Sequence, residues 1–183
     1  MSQPRPLRAD AQRNRDKLLE VAVRAFTSDT DVPLDAIARE AGVGIGTLYR
    51  HFPTRETLIE AAYRNELARL CDGVEPLLAQ LPADRALRAW MDRYVGYMAT
   101  KRGLADALRA VIASGGNPYA HSRDLLLGAI KTLLDAGMAA GTLRADVLPE
   151  DVSASLSGIS MTAADPAQSG RLLDLLMDAL RRP

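Results

Sequence analysis

Apolar side chains recur at helical spacing along almost the whole chain. In the segment from Asp10 to Ser28, for example, Leu18, Ala22 and Phe26 lie four residues apart and would share one face of a helix. The later segments repeat this spacing, and no stretch alternates apolar and polar residues as a strand does. The pattern predicts an all-α fold of about nine helices.

Prolines and glycines mark out two unusually short helices near the N-terminus. Pro33 suits the first turn of a helix that Gly42 ends, because proline needs no hydrogen bond there and glycine permits the turn that follows. A second short helix then runs from about Ile45 to His51. A fourth helix follows it, and a break at residues 73–82 precedes longer helices. We therefore expect an N-terminal group of short helices and a separate C-terminal group.

The two short helices have the spacing of a helix-turn-helix, whose second helix enters the major groove of DNA. In that second helix, Leu48 and Phe52 lie four residues apart and would anchor it on a core. Its opposite face offers hydroxyl, phenol, imidazole and guanidinium groups, which bind phosphate oxygens and base edges. These groups belong to Thr47, Tyr49, Arg50 and His51, and Gly46 leaves room for a close approach. This content favours DNA binding over a simple packing corner.

Four consecutive segments of the chain resemble the TetR family of bacterial transcriptional regulators. They are Leu18-Leu19-Glu20-Val21-Ala22 with Phe26, Ile37-Ala38-Arg39-Glu40-Ala41-Gly42-Val43, Gly46-Thr47-Leu48-Tyr49-Arg50-His51-Phe52 and Arg55-Glu56-Thr57-Leu58. The resemblance covers about residues 13–67 and implies a homodimer that binds DNA and a small-molecule effector. It implies a helix-turn-helix domain (13–54) with a linking helix (55–72) and a C-terminal effector-binding and dimerisation domain (83–183), and the residues before them form a basic arm (1–12) that we expect to be flexible.

The same resemblance implies roles for individual residues in DNA binding. Groove-facing positions are Ile45, Gly46 and Arg50, and phosphate contacts are Thr47, Tyr49, His51 and Arg55. Two positions depart from the family pattern, because Pro33 and Gly44 stand where the family often has a capping Ser or Thr. We expect the phosphate contact at the position of Pro33 to be lost. We also expect the helix that follows Gly44 to lack its usual cap.

The net charge of zero, from 23 basic and 23 acidic residues, at first disfavours a nucleic-acid partner. The charge is distributed unevenly, however. Residues 1–26 hold six basic and three acidic side chains, residues 27–38 hold three acidic and no basic ones, and residues 39–56 hold three basic and two acidic ones. We expect the basic arm to be mobile and to reach the DNA, and the acidic loop to point away from it.

Aromatic and thioether side chains are concentrated in one long helix of the C-terminal half. Such a stripe suits an ordinary core, and it equally suits the wall of a pocket for an apolar ligand with one or two polar groups. The residues predicted to line an effector pocket are Trp90, Met91, Tyr94, Tyr97, Met98, Ile112, Leu126 and Ile130.

The last two predicted helices carry more apolar surface than a lone surface helix needs. Two such helices from each of two chains would form a four-helix interface with twofold symmetry. The predicted interface residues are Leu156, Ile159, Leu172, Leu173, Leu176 and Leu180. Packing of both helices on their own chain is the alternative.

Little in the sequence supports catalysis or membrane insertion. The two histidines, His51 and His121, lie in different segments, and Cys71 has no neighbouring base, so we expect no enzyme activity, metal or cofactor. No apolar run approaches the roughly 20 residues of a membrane span, and we expect a cytoplasmic protein. The expected partners are a double-stranded DNA operator, an effector and a second copy of the chain. The alternative is a DNA-binding architectural or partner-regulated protein without a small-molecule effector.

Overall fold

The computed structural model describes the backbone of residues 5–182 and the side chains of residues 10–182. Within these residues the chain forms ten α-helices and no β-strand, so the all-α prediction is confirmed with one helix more than expected. The helices are α1 (Arg5–Ser28), α2 (Leu34–Glu40), α3 (Ile45–His51), α4 (Arg55–Asp72), α5 (Val74–Gln80), α6 (Ala83–Gly103), α7 (Ala105–Ala113), α8 (Ser122–Ala139), α9 (Pro149–Thr162) and α10 (Pro166–Leu180).

The additional helix, α5, occupies the stretch that the sequence predicts as a break. It follows α4 after Gly73 alone and buries Val74 and Leu77. Pro76 does not interrupt it, because it lies in the first turn, where the backbone N–H has no partner within the helix. A seven-residue helix with a proline near its start is too short to show a clear apolar period.

Helix α1 begins well before the position that the sequence predicts. The backbone is helical from Arg5, within the segment that the sequence assigns to the basic arm, and the mobility of that arm stays a prediction. Within α1, Asp10 forms an ion pair with Arg13, and the Gln12 amide donates to Asp16 over 2.7 Å, so side chains one turn apart stabilise the helix at residues 10–16. Residues 1–4, the side chains of residues 5–9 and the final residue, 183, lie outside the described residues.

The helices form two compact units. The first contains the described residues up to Asn65 together with Thr100–Pro118, and the second contains Glu66–Ala99 with the described residues from Tyr119 onward. Helices α4 and α6 therefore each contribute residues to both units.

The core of the first unit forms where α1, α2 and α3 pack on one another. Leu18, Ala22 and Phe26 of α1 are fully buried there, as are Ile37 of α2 and Leu48 of α3. The spacing of Leu18, Ala22 and Phe26 predicts the buried face of α1, and Leu48 is one of the two residues predicted to anchor α3.

No helix in the described part of the chain is long and apolar enough to cross a membrane. The same residues contain no group of three or more His, Cys, Asp or Glu side chains that could hold a metal ion.

Candidate nucleic-acid interface

A tight turn connects α2 to α3. Gly42 has a φ of +68°, a left-handed conformation that glycine adopts without the steric cost of a side chain. The amides of Gly42 and Val43 donate to the carbonyl oxygens of Arg39 and Ala38 over 3.1 and 2.9 Å, which closes the C-terminal end of α2. The chain therefore enters α3 directly, as a helix-turn-helix requires.

The N-terminal ends of both short helices lack a side-chain cap. Pro33 precedes α2 and Gly44 precedes α3, both in extended conformations with ψ of 140° and 143°. Neither has a side-chain capping hydrogen bond among the described contacts, so the expected absence of a cap at Gly44 is confirmed.

Two apolar residues fix the inner face of α3. Leu48 is 0% exposed, and Phe52, directly after the helix, is 3% exposed. The guanidinium carbon of Arg15 in α1 lies 5.7 Å from the centre of the Phe52 ring, within the range of a cation–π contact. Because these contacts hold one face of α3 on the core, the opposite face is oriented outward.

The outward face of α3 carries the predicted DNA-contact residues. Ile45 is 41% exposed and Tyr49 is 49% exposed, whereas Thr47 and His51 are half-buried. Arg50 is exposed and has no hydrogen bond or ion pair with any described residue. Six of the seven predicted contacts therefore lie on one short helix, among them Gly46.

Gly46 has no structural reason within the chain to be glycine. A Cβ atom at this position would meet no described atom within 4 Å, and its φ lies outside the left-handed region. Glycine inside a helix costs about 0.5–1 kcal/mol relative to alanine. The space in front of Gly46 is open, as the predicted close approach of a DNA backbone requires.

Arg55, the seventh predicted contact, has partners inside the first unit. Its Nη1 donates to the carbonyl oxygen of Thr30 over 2.8 Å, and its Nη2 donates to that of Val32 over 2.6 Å. The guanidinium carbon lies 5.4 Å from the centre of the Phe26 ring. The phosphate contact of Arg55 stays a prediction, and sequence spacing does not indicate the contacts that the structure shows.

Arg24, another cation near this surface, is paired within the same unit. Arg24 in α1 forms ion pairs with Glu40 at 3.0 Å and with Glu20 at 3.6 Å. In the loop after α1, the Asp31 amide donates to the Asp29 carboxylate over 2.9 Å. Arg50 thus differs from Arg24, because no carboxylate within the described residues forms an ion pair with it.

Several residues predicted to line an effector pocket are buried in the second unit, where three aromatic rings form a cluster. Trp90, Met91, Tyr94 and Tyr97 are each at most 5% exposed, and Ile130 is fully buried. The Trp90 indole donates to the Leu70 carbonyl oxygen over 3.0 Å. Ring centres are 5.8 Å apart for Trp90 and Tyr94, and 6.2 Å apart for Tyr94 and Tyr97. The cluster is core-like in its burial.

The remaining predicted pocket residues lie in different surroundings. Met98 and Leu126 are half-buried in the second unit, whereas Ile112 belongs to the first unit and is 47% exposed. The structure therefore brings Trp90, Tyr94 and Tyr97 together and does not add Ile112 to that cluster.

The predicted interface residues of α9 and α10 divide into buried and accessible ones. Leu156, Leu173 and Leu180 are at most 4% exposed and pack into the core of their own unit, and their part in a dimer interface stays a prediction. Their burial follows from helical spacing, because the buried positions of α10 lie three or four residues apart. Ile159, Leu172 and Leu176 are half-buried.

Two exposed apolar residues were not among the predicted interface residues. Met161 in α9 is 75% exposed and Leu175 in α10 is 65% exposed. The signal that identifies Leu175 is its position off the stripe formed by Leu173, Met177 and Leu180. These two side chains are the largest apolar groups that α9 and α10 present to solvent.

Comparison with known proteins gives matches to both halves of the chain. The family model described as bacterial regulatory proteins of the tetR family matches residues 18–62. The model of the C-terminal domain of SbtR-like transcriptional regulators matches residues 82–182.

Solved structures and curated proteins agree with these matches. A TetR transcriptional regulator from Streptomyces coelicolor is 57% identical over 91% of this chain and 98% of its own, with a TM-score of 0.86. A TetR transcription regulatory protein from Mycobacterium vanbaalenii is 38% identical over 97% of this chain and 100% of its own, with a TM-score of 0.81. An HTH-type transcriptional regulator of Staphylococcus aureus is 35% identical over 63 residues, and the match spans only about a third of each protein, 33% of this chain and 34% of the relative. With both domains matched in order, the chain belongs to the TetR family of bacterial transcriptional regulators, which are DNA-binding proteins and not enzymes.

Proposed function

We propose that the protein is a transcriptional repressor that binds a double-stranded DNA operator as a homodimer and acts in the cytoplasm. The observation that carries this proposal is the outward face of α3, where Ile45, Tyr49 and the unpaired Arg50 are exposed while Leu48 and Phe52 hold the helix on the core. A short helix anchored in this way can enter the major groove and present its polar side chains there.

The side chains of α3 support different kinds of DNA contact. The Arg50 guanidinium can donate two hydrogen bonds to one guanine, and the Ile45 side chain can contact a thymine methyl group. The hydroxyl groups of Thr47 and Tyr49 and the His51 imidazole can donate to phosphate oxygens, which orient the protein without reading sequence. Under this proposal Arg50 is the main source of direct base readout.

A homodimer would place two such helices on one operator. In twofold dimers of helix-turn-helix proteins, the recognition helices lie about 34 Å apart, one turn of DNA, so both enter the major groove on the same side. The exposed Met161 and Leu175 supply apolar surface for the dimer contact. The small residues Ala154 and Gly158 are exposed on the same helix as Met161 and would allow close approach.

We further propose that a small-molecule effector releases the protein from DNA. The effector must bind the arrangement that does not fit DNA more tightly than the arrangement that does, because equal affinity shifts no equilibrium. Its site would lie in the C-terminal domain, where Met98 and Leu126 are only half-buried and can be reached from solvent.

A specific observation favours the alternative, a regulator without a small-molecule effector. Trp90 and Tyr94 are buried and direct their polar groups to partners within the chain, Leu70 and Ser157. A thermal-shift screen against a metabolite panel separates the two proposals. A rise of several degrees with one compound supports the effector, and no rise with any compound supports regulation by dimerisation or by a protein partner.

Selection of bound duplexes from random DNA tests the DNA-binding proposal directly. The best selected duplex and a random duplex then serve to measure dissociation constants for the wild type, Arg50→Ala and Tyr49→Phe. Arg50→Ala should weaken the binding free energy by roughly 1–3 kcal/mol, mainly on the selected duplex, whereas Tyr49→Phe should weaken binding to both duplexes.

Arg123→Ala, which removes an exposed arginine of α8 in the second unit, is the matched control and should change neither dissociation constant. Equal losses on both duplexes for Arg50→Ala would contradict its role as a base reader.

A further inference from the structure

We infer that Arg55 is a positioning residue for the DNA-binding surface: its side chain holds the loop that leads into α2, and it does not bind phosphate. The loop, hereafter the α1–α2 loop, comprises residues 29–33. The inference deepens the proposed function and rests on it, because the surface being positioned is the proposed recognition helix.

The guanidinium group of Arg55 is held on three sides. Its two terminal nitrogens donate to the carbonyl oxygens of Thr30 and Val32, which are separated by one residue, over 2.8 and 2.6 Å. Its carbon lies 5.4 Å from the centre of the Phe26 ring, and that ring is 0% exposed. The planar group therefore rests on the core while it holds the loop, a geometry that arginine can provide and lysine cannot.

The α1–α2 loop has few internal contacts that could hold it without Arg55. Within it, the Asp31 amide donates to the Asp29 carboxylate and the Val32 amide makes a long hydrogen bond of 3.4 Å to the Asp29 carbonyl oxygen, while the Asp29 amide and the Pro33 carbonyl oxygen are bonded to α1 and α2 at its two ends. Residues 27–38 hold three acidic and no basic side chains. Arg55 therefore brings to this loop both hydrogen-bond donors and a positive charge that its own sequence does not supply.

The position of this loop determines where α2 begins. Val32, whose carbonyl oxygen accepts from Arg55, directly precedes Pro33, and Pro33 has no side-chain capping bond within the described structure. Helix α2 in turn leads through the Gly42 turn into α3. The contact made by Arg55 therefore acts on the DNA-binding face through α2, at a distance from any phosphate.

Two substitutions separate positioning from phosphate binding. Arg55→Lys keeps a charge that could reach a phosphate but loses the paired donors and the flat stacking surface, and Arg55→Gln loses the charge as well. We expect both variants to bind the selected duplex at least about tenfold more weakly than the wild type, since hydrogen bonds to charged groups are worth a factor of this order. We also expect the slope of log Kobs against log salt to stay at the wild-type value in both.

Loss of one phosphate charge contact would lower the magnitude of the salt slope by about 0.9. The inference is overturned if Arg55→Lys binds like the wild type and Arg55→Gln lowers the magnitude of the slope by about this amount.

Amide hydrogen exchange in the free protein provides a readout that needs no DNA. The Val32 and Ala36 amides should exchange faster in both Arg55 variants than in the wild type, and unchanged exchange would overturn the inference. If the variants do not fold, the Nη protons of Arg55 in the wild type decide instead: their NMR signals should be unaffected by added duplex, and a shift on DNA binding would indicate phosphate contact. A wild-type protein that binds no duplex would overturn the proposed function, and exchange would still show whether Arg55 holds the loop.

Discussion

The hydroxyl group of Tyr94 in α6 lies 2.9 Å from the hydroxyl group of Ser157 in α9. Tyr94 is 2% exposed, so this contact joins two helices of the second unit through a polar pair inside an apolar cluster. A buried phenol without a partner would be unfavourable, because it would lose its hydrogen bonds to water. The pair therefore links the aromatic stripe of α6 to the helix that carries Met161.

Removal of either hydroxyl group should weaken the second unit. We expect Tyr94→Phe and Ser157→Ala each to lower the free energy of unfolding by about 1 kcal/mol, the usual value for one hydrogen bond. The double variant should have nearly the same free energy of unfolding as the less stable single variant, within a few tenths of a kcal/mol, because both changes remove the same bond. Urea denaturation measures all three, and additive losses would show that the two hydroxyl groups act independently.

Gly46→Ala should raise the stability of the protein and lower its DNA affinity. A Cβ atom at Gly46 meets open space, so alanine should stabilise α3 by roughly 0.5–1 kcal/mol. The same methyl group would obstruct a DNA backbone and should weaken binding to the selected duplex. Thermal unfolding and fluorescence anisotropy measure the two effects.

Gly128→Ala is the control for this prediction, because Gly128 lies within α8 and its Cβ would also meet no described atom within 4 Å. It should give a similar gain in stability with unchanged DNA affinity. Unchanged affinity in Gly46→Ala would show that DNA does not approach this position.

The oligomeric state should respond to exposed and buried leucines in different ways. Leu175→Glu combined with Met161→Glu should give folded monomers, because both side chains lie on the surface of the protomer. Leu173→Glu should instead unfold the second unit, since Leu173 is 1% exposed and a buried unpaired carboxylate costs several kcal/mol.

Sedimentation velocity and circular dichroism distinguish these results. Leu125→Glu, at a leucine of α8 that is 50% exposed, is the control and should leave the dimer intact. A dimer that survives the Leu175 and Met161 changes would place the contact on another surface.

Cys71 should be an unreactive thiol near neutral pH. Burial, with a smaller contribution from the neighbouring Asp72 carboxylate, raises the pKa of Cys71 to about 11. Alkylation by iodoacetamide at pH 8.5 should therefore be on the order of a hundredfold slower than in urea, where the thiol has its ordinary pKa near 8.5. Similar rates in both states would contradict this prediction.

The pKa shift of Cys71 also has a defined effect on stability. A pKa that is higher in the folded state gives a stabilising contribution below the unfolded pKa, and this contribution is lost as the pH rises toward 11. Relative to Cys71→Ser, the wild type should lose stability between pH 9 and pH 11. Urea denaturation of both proteins across this range measures the difference.

Sequence patterns predicted the parts of the structure that depend on local spacing. The four-residue interval between Leu48 and Phe52 was sufficient to predict which face of α3 is buried, because an anchored helix must direct its other face outward. Gly42 predicted the end of α2 for an equally local reason, its left-handed φ.

Features that depend on tertiary contacts could not be predicted in this way. Arg55 is bonded to carbonyl oxygens 25 and 23 residues away, and backbone carbonyls leave no pattern in a sequence. Leu173 and Leu175 have the same side chain two positions apart, and their residue type alone does not distinguish the core position from the surface one; the stripe of Leu173, Met177 and Leu180 does. Helix α5 was not predicted for a different reason: its seven residues form barely two turns, which is too short to show a helical period.

The first unit is built from two separate segments of the chain, and this matters for the design of truncated and chimeric regulators. Thr100–Pro118 belongs to the same compact unit as α1, α2 and α3, and Ala107, Leu108 and Val111 of α7 are buried. A truncation after α4 would remove these buried residues, so the remaining fragment should not fold as an independent DNA-binding domain. A chimera that transfers the operator preference of this protein to another scaffold must therefore carry α7 together with the helix-turn-helix.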